Sequence, residues 1–335
     1  MKILVIFTGG TIGSTKSDCV IDVNADTSFQ LLESYQALPT AKEVSFETKQ
    51  PIYILSENLV PDDWHVLLDT LNAVDQSAYD GIIIAHGTDT LPYSSAAISF
   101  GLKQYDIPVV LVASNYPLDD ERANGLRNFS NAVDFIASDI AKGVFVVFEN
   151  NVGESIVHLG SRLLEADPYT DDFDSIGGVI FGKMDAGRFI YNDDSRNLSI
   201  EALNQYQPTL SGNVRFSSDV LLIKPFAGLN YDYFQFGNYK PKAVLHGLYH
   251  SGTANTSERQ NHSIKAFAAY CKEQGVPMYA APIAQTDDLY QSAKELIDAG
   301  VTPMVGISLE AALVKLMICA DSGVKMDESI YFERL

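Results

Sequence analysis

Two short polar stretches, each at the end of an apolar run, carry the residue types that chemistry needs. Thr8-Gly9-Gly10-Thr11-Ile12-Gly13 follows Ile3-Leu4-Val5-Ile6-Phe7, and His86-Gly87-Thr88-Asp89-Thr90 follows Gly81-Ile82-Ile83-Ile84-Ala85. Adjacent glycines let a backbone turn sharply and offer its N–H groups to an anion or an oxyanion. A threonine hydroxyl such as that of Thr11 becomes a nucleophile once a base or polarising partner draws on its proton. Thr88 and Asp89 add a second hydroxyl and a carboxylate. Neither stretch has the lysine of a phosphate-binding loop or the spacing of a dinucleotide fingerprint. Taken singly, each also fits a plain strand-to-helix turn, because Gly, Thr and Asp favour such turns.

The elements around these stretches place them. A continuous β-branched run reads as a buried parallel strand, and Pro92 suits the first turn of a following helix. Both polar stretches then sit at the carboxyl ends of strands, where ligands bind in open α/β sheets. Strands are predicted over 2–8, 53–55, 81–85, 108–113, 144–148 and 155–159, with helices over 61–73, 94–102 and 119–137. In the last of these, Leu126, Phe129, Val133 and Ile136 form one apolar face. Trp64 and Phe100 read as core. A polar stretch around 189–218 interrupts the pattern. A second series follows, with strands over 219–225, 243–248, 277–281 and 301–307 and helices over 262–272, 287–297 and 308–317. The predicted organisation is an N-terminal domain over 1–190 that carries the main site, a linker over 191–212 and a C-terminal α/β domain over 213–335.

Composition narrows the function. With 43 acidic against 23 basic residues in 335, the net charge is -20, which opposes nucleic acid and anionic membranes, since both need clustered Lys and Arg. Three widely spaced cysteines offer neither a disulfide framework nor a zinc site. Asp167, Asp171, Asp172 and Asp174 lack the glycine and glutamate of a calcium loop and read as a solvated turn. No metal and no cofactor are expected. The apolar run after Met1-Lys2 is too short for a signal core or a membrane span, so a cytoplasmic location is expected. The sequons at Asn128, Asn197, Asn255 and Asn261 are then chance matches.

Taken together, Thr8-Gly9-Gly10-Thr11-Ile12-Gly13 and His86-Gly87-Thr88-Asp89-Thr90-Leu91 resemble the paired signatures of the L-asparaginase family. Ser56-Glu57-Asn58-Leu59-Val60-Pro61 is similar to the family's substrate segment. Pro117-Leu118, Tyr249-His250-Ser251-Gly252-Thr253-Ala254-Asn255 and Glu310-Ala311-Ala312-Leu313-Val314-Lys315-Leu316 extend the likeness to nearly the whole chain, in the style of the cytoplasmic type I branch. The resemblance implies a two-domain α/β fold, with a mainly parallel sheet in the larger N-terminal domain and a smaller α/β C-terminal domain. It implies a homodimer or dimer of dimers and hydrolysis of a small-molecule side-chain amide to a carboxylate and ammonia. Carried over by position, Thr11 is the nucleophile, Thr88 the second catalytic threonine and Asp89 its acidic neighbour. Gly10, Ser56, Glu57, Gly87 and Ser114 would line the substrate, and Thr253 or Asn255 would reach a neighbouring subunit's site.

Two positions depart from the family pattern. Where the family has a loop tyrosine, this chain has Ile21, which cannot polarise a hydroxyl. Where it has a lysine beside the aspartate, Gly160-Ser161-Arg162-Leu163-Leu164-Glu165 places Glu165. A carboxylate there is expected to lie near Asp89, where it would act as a general base or hold a cation. Tyr93 and Tyr116 are candidates to supply the missing phenol. His86 reads either as a base or as a cap on backbone groups. Altered amide hydrolysis and a non-catalytic site binding an amino acid or cation are both consistent with these changes. A role on charged tRNA fits the net charge poorly.

Overall fold

The computed structural model describes every residue except 10–13, 18–19, 24, 211–212, 286–287 and 323. The chain forms two compact units. The first holds Met1–Val214 with Ile330–Phe332, and the second holds Arg215–Ser329 with Glu333–Leu335.

The first unit is built, in chain order, from β1 (Lys2–Phe7), β2 (Ser14–Ser17), β3 (Val20–Val23), α1 (Ala25–Gln36), β4 (Ser45–Lys49), α2 (Pro61–Asn72), β5 (Gly81–Ala85), α3 (Leu91–Gly101), β6 (Pro108–Val112), α4 (Gly125–Ala137), β7 (Gly143–Glu149), β8 (Ser155–Leu159), β9 (Gly182–Asp185), β10 (Arg188–Tyr191) and α5 (Ile200–Asn204). Eight of these strands form one sheet in the order β10-β9-β8-β7-β6-β5-β1-β4. The pairs from β4 to β7 are parallel, and β8, β9 and β10 extend the sheet antiparallel. Strands β5 and β6 are buried along their whole length, as continuous β-branched runs require when both sheet faces are covered. The central register runs Val5↔Ile83↔Val110. β2 and β3 form a separate hairpin.

Several predicted elements shift. The strand predicted over 53–55 is absent; Ile54 makes only a single bridge, to Gly9. Beside β1, on the side away from β5, the sheet ends instead in β4, whose Ser-Phe-Glu-Thr-Lys sequence is mostly exposed. An edge strand with little to bury carries no apolar run to betray it. Helix α4 starts at Gly125 rather than 119, because Asp120 accepts the Arg122 N–H (2.9 Å) and forms a turn there. Helix α3 starts earlier, at Leu91, with Pro92 in its first turn. Within 191–212, α5 and Tyr206 belong to the first unit, where the Tyr206 hydroxyl donates to the Ile330 carbonyl (2.5 Å).

The tail completes this unit. Tyr331 is fully buried, stacked 4.9 Å from Tyr105, and its hydroxyl accepts the Val144 N–H (3.0 Å). The Arg162 Nε donates to the Phe332 carbonyl (2.8 Å), which steadies the segment leading to Glu165.

The second unit contains β11 (Val220–Ile223), β12 (Ala243–Gly247), α6 (Ile264–Glu273), β13 (Met278–Ile283), α7 (Gln291–Asp298), β14 (Thr302–Val305) and α8 (Leu309–Ser322). Its sheet is parallel in the order β11-β12-β13-β14. Lys315 and Glu333 form a fully buried ion pair (2.8 Å), and Lys315 also donates to the Glu328 carbonyl (2.5 Å). A buried pair satisfied in this way is costly to break from one side.

Each unit buries a neutral histidine in its sheet. Burial pushes His158 down to about 3 and His246 down to about 4, from about 6.5 in an unfolded chain. The folded pKa is depressed, so their stabilising contribution is complete above about 6.5 and is lost as pH falls towards the folded values. At pH 5 each is expected to have cost about 2 kcal/mol. His158→Gln should therefore show a shallower fall of the urea midpoint between pH 6.5 and 5 than the parent chain.

Candidate active site

The carboxyl end of β1 turns at Gly9, whose φ of +102° lies in the region open to glycine. A Cβ there would stand 2.4 Å from the Ile54 carbonyl oxygen. The approach is closed by the Ile54 N–H donating to the Thr8 carbonyl (3.0 Å). It brings the 54–58 segment beside the loop that carries Thr8-Gly9. Thr8 is tied to the next strand, with its N–H (3.1 Å) and its hydroxyl (3.0 Å) both donating to the Ala85 carbonyl. Gly10 and Thr11 lie outside the described residues.

At the end of β5, the His86 N–H donates to the Val112 carbonyl of β6 (2.9 Å), carrying the ladder one residue past the strand. The His86 Nδ1 meets the carbonyl of Gly87 at 2.8 Å, and burial holds the imidazole below its usual pKa. The ring is therefore neutral at pH 7, with Nδ1–H as donor. Its buried Nε2 has no hydrogen-bond partner among the described residues. These contacts support the capping reading of His86. Thr88 is half-buried, Asp89 is exposed, and Thr90 begins α3 as its N-cap residue.

Two hydroxyl–carboxylate pairs involve residues that follow Thr88 closely in the chain, Asp89 and Tyr93. Ser56 is buried in a one-turn helix at 56–58, and its Oγ donates to Asp89 Oδ2 (3.2 Å). The Thr90 hydroxyl answers by donating to the Ser56 carbonyl (3.0 Å), so the 56–58 and 88–90 segments are stitched twice. Glu57, next in the chain, is exposed. In the first turn of α3, the Tyr93 hydroxyl donates to Glu165 Oε1 (2.5 Å). Each carboxylate thus has its own hydroxyl donor, and Tyr93, one of the two tyrosines singled out from the sequence, is the phenol that reaches Glu165.

The segment that bears Glu165 is held by small side chains. Ser95 Oγ is 2.8 Å from the Gly160 carbonyl and 3.0 Å from the Pro92 carbonyl. A Cβ at Gly160 would stand 2.8 Å from Ser99 Oγ and 2.9 Å from Val144 Cγ1. Residues 160–162 therefore lie directly on α3, and Glu165 follows beside its first turn. The sequence alone did not single out Ser95, Ser99 and Gly160; for Ser95 the signal was the run of small residues Ser94-Ser95-Ala96-Ala97 in the helix predicted over 94–102.

Other sequence candidates are placed elsewhere. Ser114 is buried, accepts the Gly125 N–H at the start of α4 (3.1 Å) and donates to the Tyr116 carbonyl (2.5 Å). The ring of Tyr116 is covered by the Arg122 guanidinium at 3.9 Å. In the second unit, Thr253 Oγ1 meets Ser251 Oγ (2.9 Å), and Asn255 Oδ1 accepts the Ser257 N–H (3.0 Å). Asp167 caps its own loop by accepting the N–H groups of Tyr169 and Thr170 (2.9 and 3.0 Å), which lowers its pKa.

A mainly parallel α/β sheet with hydroxyls and carboxylates at the carboxyl ends of its strands has the place where open α/β folds bind ligands. Residues 2–197 match the family model described as asparaginase, N-terminal. The chain belongs to the asparaginase family and is an asparaginase-like amidohydrolase. It is 28% identical over 328 residues to an L-asparaginase of Thermococcus kodakarensis, covering 95% of this chain and 92% of that protein. It is 26% identical over 324 residues to a glutamyl-tRNA(Gln) amidotransferase subunit of Saccharolobus solfataricus, covering 94% of this chain and 70% of that protein. Among solved structures, the thermostable L-asparaginase of Thermococcus kodakarensis superposes with a TM-score of 0.76 at 23% identity, covering 100% of this chain and 99% of that one. L-asparaginase I of Vibrio cholerae gives 0.75 at 22% identity, with the same coverage. Among the described residues, no helix is long and apolar enough to cross a membrane.

The Gly9 turn gives a direct test of this arrangement. Gly9→Ala combines a left-handed backbone with a clash against a carbonyl, and is expected to destabilise the chain by about 2 kcal/mol or more. Denaturant midpoints of the two proteins measure it.

Proposed function

We propose that the chain hydrolyses the primary amide of a small molecule to a carboxylate and ammonia, with Thr11 as nucleophile. Attack of the Thr11 hydroxyl oxygen on the amide carbon forms a tetrahedral intermediate, and backbone N–H groups around Gly10 receive its oxyanion. Collapse breaks the C–N bond, the proton from Thr11 leaves with ammonia, and an acyl-threonine remains. Water then attacks the ester as Glu165 takes its proton, the C–O bond to Thr11 breaks as Glu165 returns that proton to the threonine oxygen, and the acid product leaves as its carboxylate after releasing its own proton to solvent. Thr88 orients the water, and Ser56, Glu57, Asp89 and Gly87 receive the substrate. The observation that supports this reading is the pair of contacts Ser56–Asp89 and Tyr93–Glu165, which tie two carboxylates to segments at the ends of the strand-to-helix loop that holds Thr88.

The same reading takes the protein as cytoplasmic and as a homodimer or dimer of dimers, with Thr253 and Asn255 serving the site of a neighbouring copy. Ser114 is left as a support for the loop, since its hydroxyl is engaged twice within it. The net charge of -20 disfavours a substrate attached to nucleic acid.

A second reading, binding without turnover, draws on one observation: the Glu165 carboxylate already accepts a hydroxyl from Tyr93. Ammonia release from a panel of amides separates the two. Thr11→Ala is expected to lower the rate by at least about a thousandfold, as loss of a nucleophile does, with unchanged circular dichroism. Ligand binding without ammonia release by the parent chain would favour the second reading.

A further inference from the structure

We infer that the turn at Ile330–Phe332 is a positioning element for the candidate site, setting through Arg162 the segment that carries Glu165. This inference rests on the proposed amide hydrolysis, in which Glu165 moves the proton of the attacking water.

The turn is held in an unusual conformation. Among the described residues, four that are not glycine have a positive φ: Asp139, Asp171, Ala186 and Phe332. Aspartate tolerates that region and alanine is small, whereas a bulky ring there is an outlier. Phe332, at +48°, is kept there by its surroundings. Its ring packs against Tyr206 at 5.2 Å and Tyr331 at 5.5 Å. Tyr331 is fully buried, its hydroxyl accepts the Val144 N–H, and it fills space that a Cβ at Gly143 would need. The Tyr206 hydroxyl holds the Ile330 carbonyl. Strain retained in this way marks a place where one backbone direction is required.

That direction serves the Phe332 carbonyl, which accepts the Arg162 Nε–H at 2.8 Å. Arg162 is itself buried, and its Nη1 reaches the Arg196 carbonyl at 3.5 Å. Residues 160–162 also lie on α3 through Ser95 and Gly160, so α3 and Phe332 hold this short turn by separate contacts. Beyond it, Leu163 bridges Ser175, and the Leu164 N–H donates to the Asp174 carbonyl at 2.9 Å. The backbone leading to Glu165 is thus fixed step by step, and Tyr93 meets the carboxylate at its end. A general base must stand within hydrogen-bond reach of the water it deprotonates. A misplacement of about 1 Å costs about a hundredfold in rate.

Two variants of the full chain alter the Arg162–Phe332 contact without changing a charge. Arg162→Lys keeps the cation and loses the planar donor fork. Phe332→Gly keeps the carbonyl and suits the positive φ, but removes the packing that fixes it. Leu296→Ala, in the core of the second unit, is the destabilised control. Steady-state and rapid-quench ammonia release are measured on the fastest of L-asparagine, L-glutamine and propionamide. Acylation releases ammonia before Glu165 acts, so a displaced base slows only the later step. Both variants are expected to show a burst of about one ammonia per site. Their kcat should fall at least about tenfold, with KM falling in step and kcat/KM retained. Glu165→Gln should give the same pattern, and adding Arg162→Lys to it should bring no further loss. Leu296→Ala should show none of this. If one of the two variants does not fold, the other decides.

Parent-like kinetics in a folded variant, or a lower kcat with KM unchanged and no burst, overturns the positioning role and leaves hydrolysis standing. No ammonia from any amide with the folded parent chain overturns hydrolysis, and the positioning role is then read on the carboxyl itself. Carbon NMR of the chain labelled at its glutamate carboxyls follows Glu165, identified by the signal that Glu165→Gln removes. A titration midpoint displaced in Arg162→Lys and Phe332→Gly but not in Leu296→Ala upholds the role. An unmoved midpoint overturns it.

Discussion

The parallel pairing of β1 with β5, and of β5 with β6, is the constraint on which the site depends. Parallel strands release their chains at the same edge, so loops from distant parts of the sequence converge there. The ladder also runs past the strand ends. The Thr8 N–H donates to Ala85, and the His86 N–H donates to Val112, so the first residue of each functional loop is still held by sheet hydrogen bonds. A loop anchored in this way starts from a fixed point, and only a few further contacts are needed to set its side chains.

Those further contacts are of two kinds. Backbone proximity at Gly9 and Gly160 is bought with the absence of a side chain, since a Cβ at either would collide with its neighbour. Hydroxyl-to-carboxylate bonds from Ser56 and Tyr93 then fix Asp89 and Glu165. The side chains that these two hydroxyls hold in place are both acidic. The chain as a whole has the same bias, with a net charge of -20.

The two units reuse one local device. His86-Gly87 and His246-Gly247 each place a buried imidazole Nδ1 against the carbonyl of the following glycine, at 2.8 and 2.5 Å. Burial keeps both rings neutral. The settings differ: His246 has Tyr231 at its Nε2 (2.9 Å), whereas His86 stands between β5 and the Thr88-Asp89 loop. A histidine followed by glycine at a strand end is therefore a structural cap in both units.

Much of this was legible in the sequence. Buried strands such as β5 and β6 announce themselves as β-branched runs, because both sheet faces are covered, and the two threonine-bearing stretches at strand ends carry the family signatures. The edge strand β4 was not legible, since a strand that buries little needs no apolar pattern. Nor was the support of Glu165 by Tyr93, Ser95, Ser99 and Gly160. These residues come from segments about 70 positions apart, and their meeting depends on how closely residues 160–162 lie on α3. Sequence determined which groups were present and that Glu165 is a carboxylate. Tertiary structure alone decided what each carboxylate binds, because hydrogen bonds are set by distances of a few ångströms that spacing along the chain does not encode.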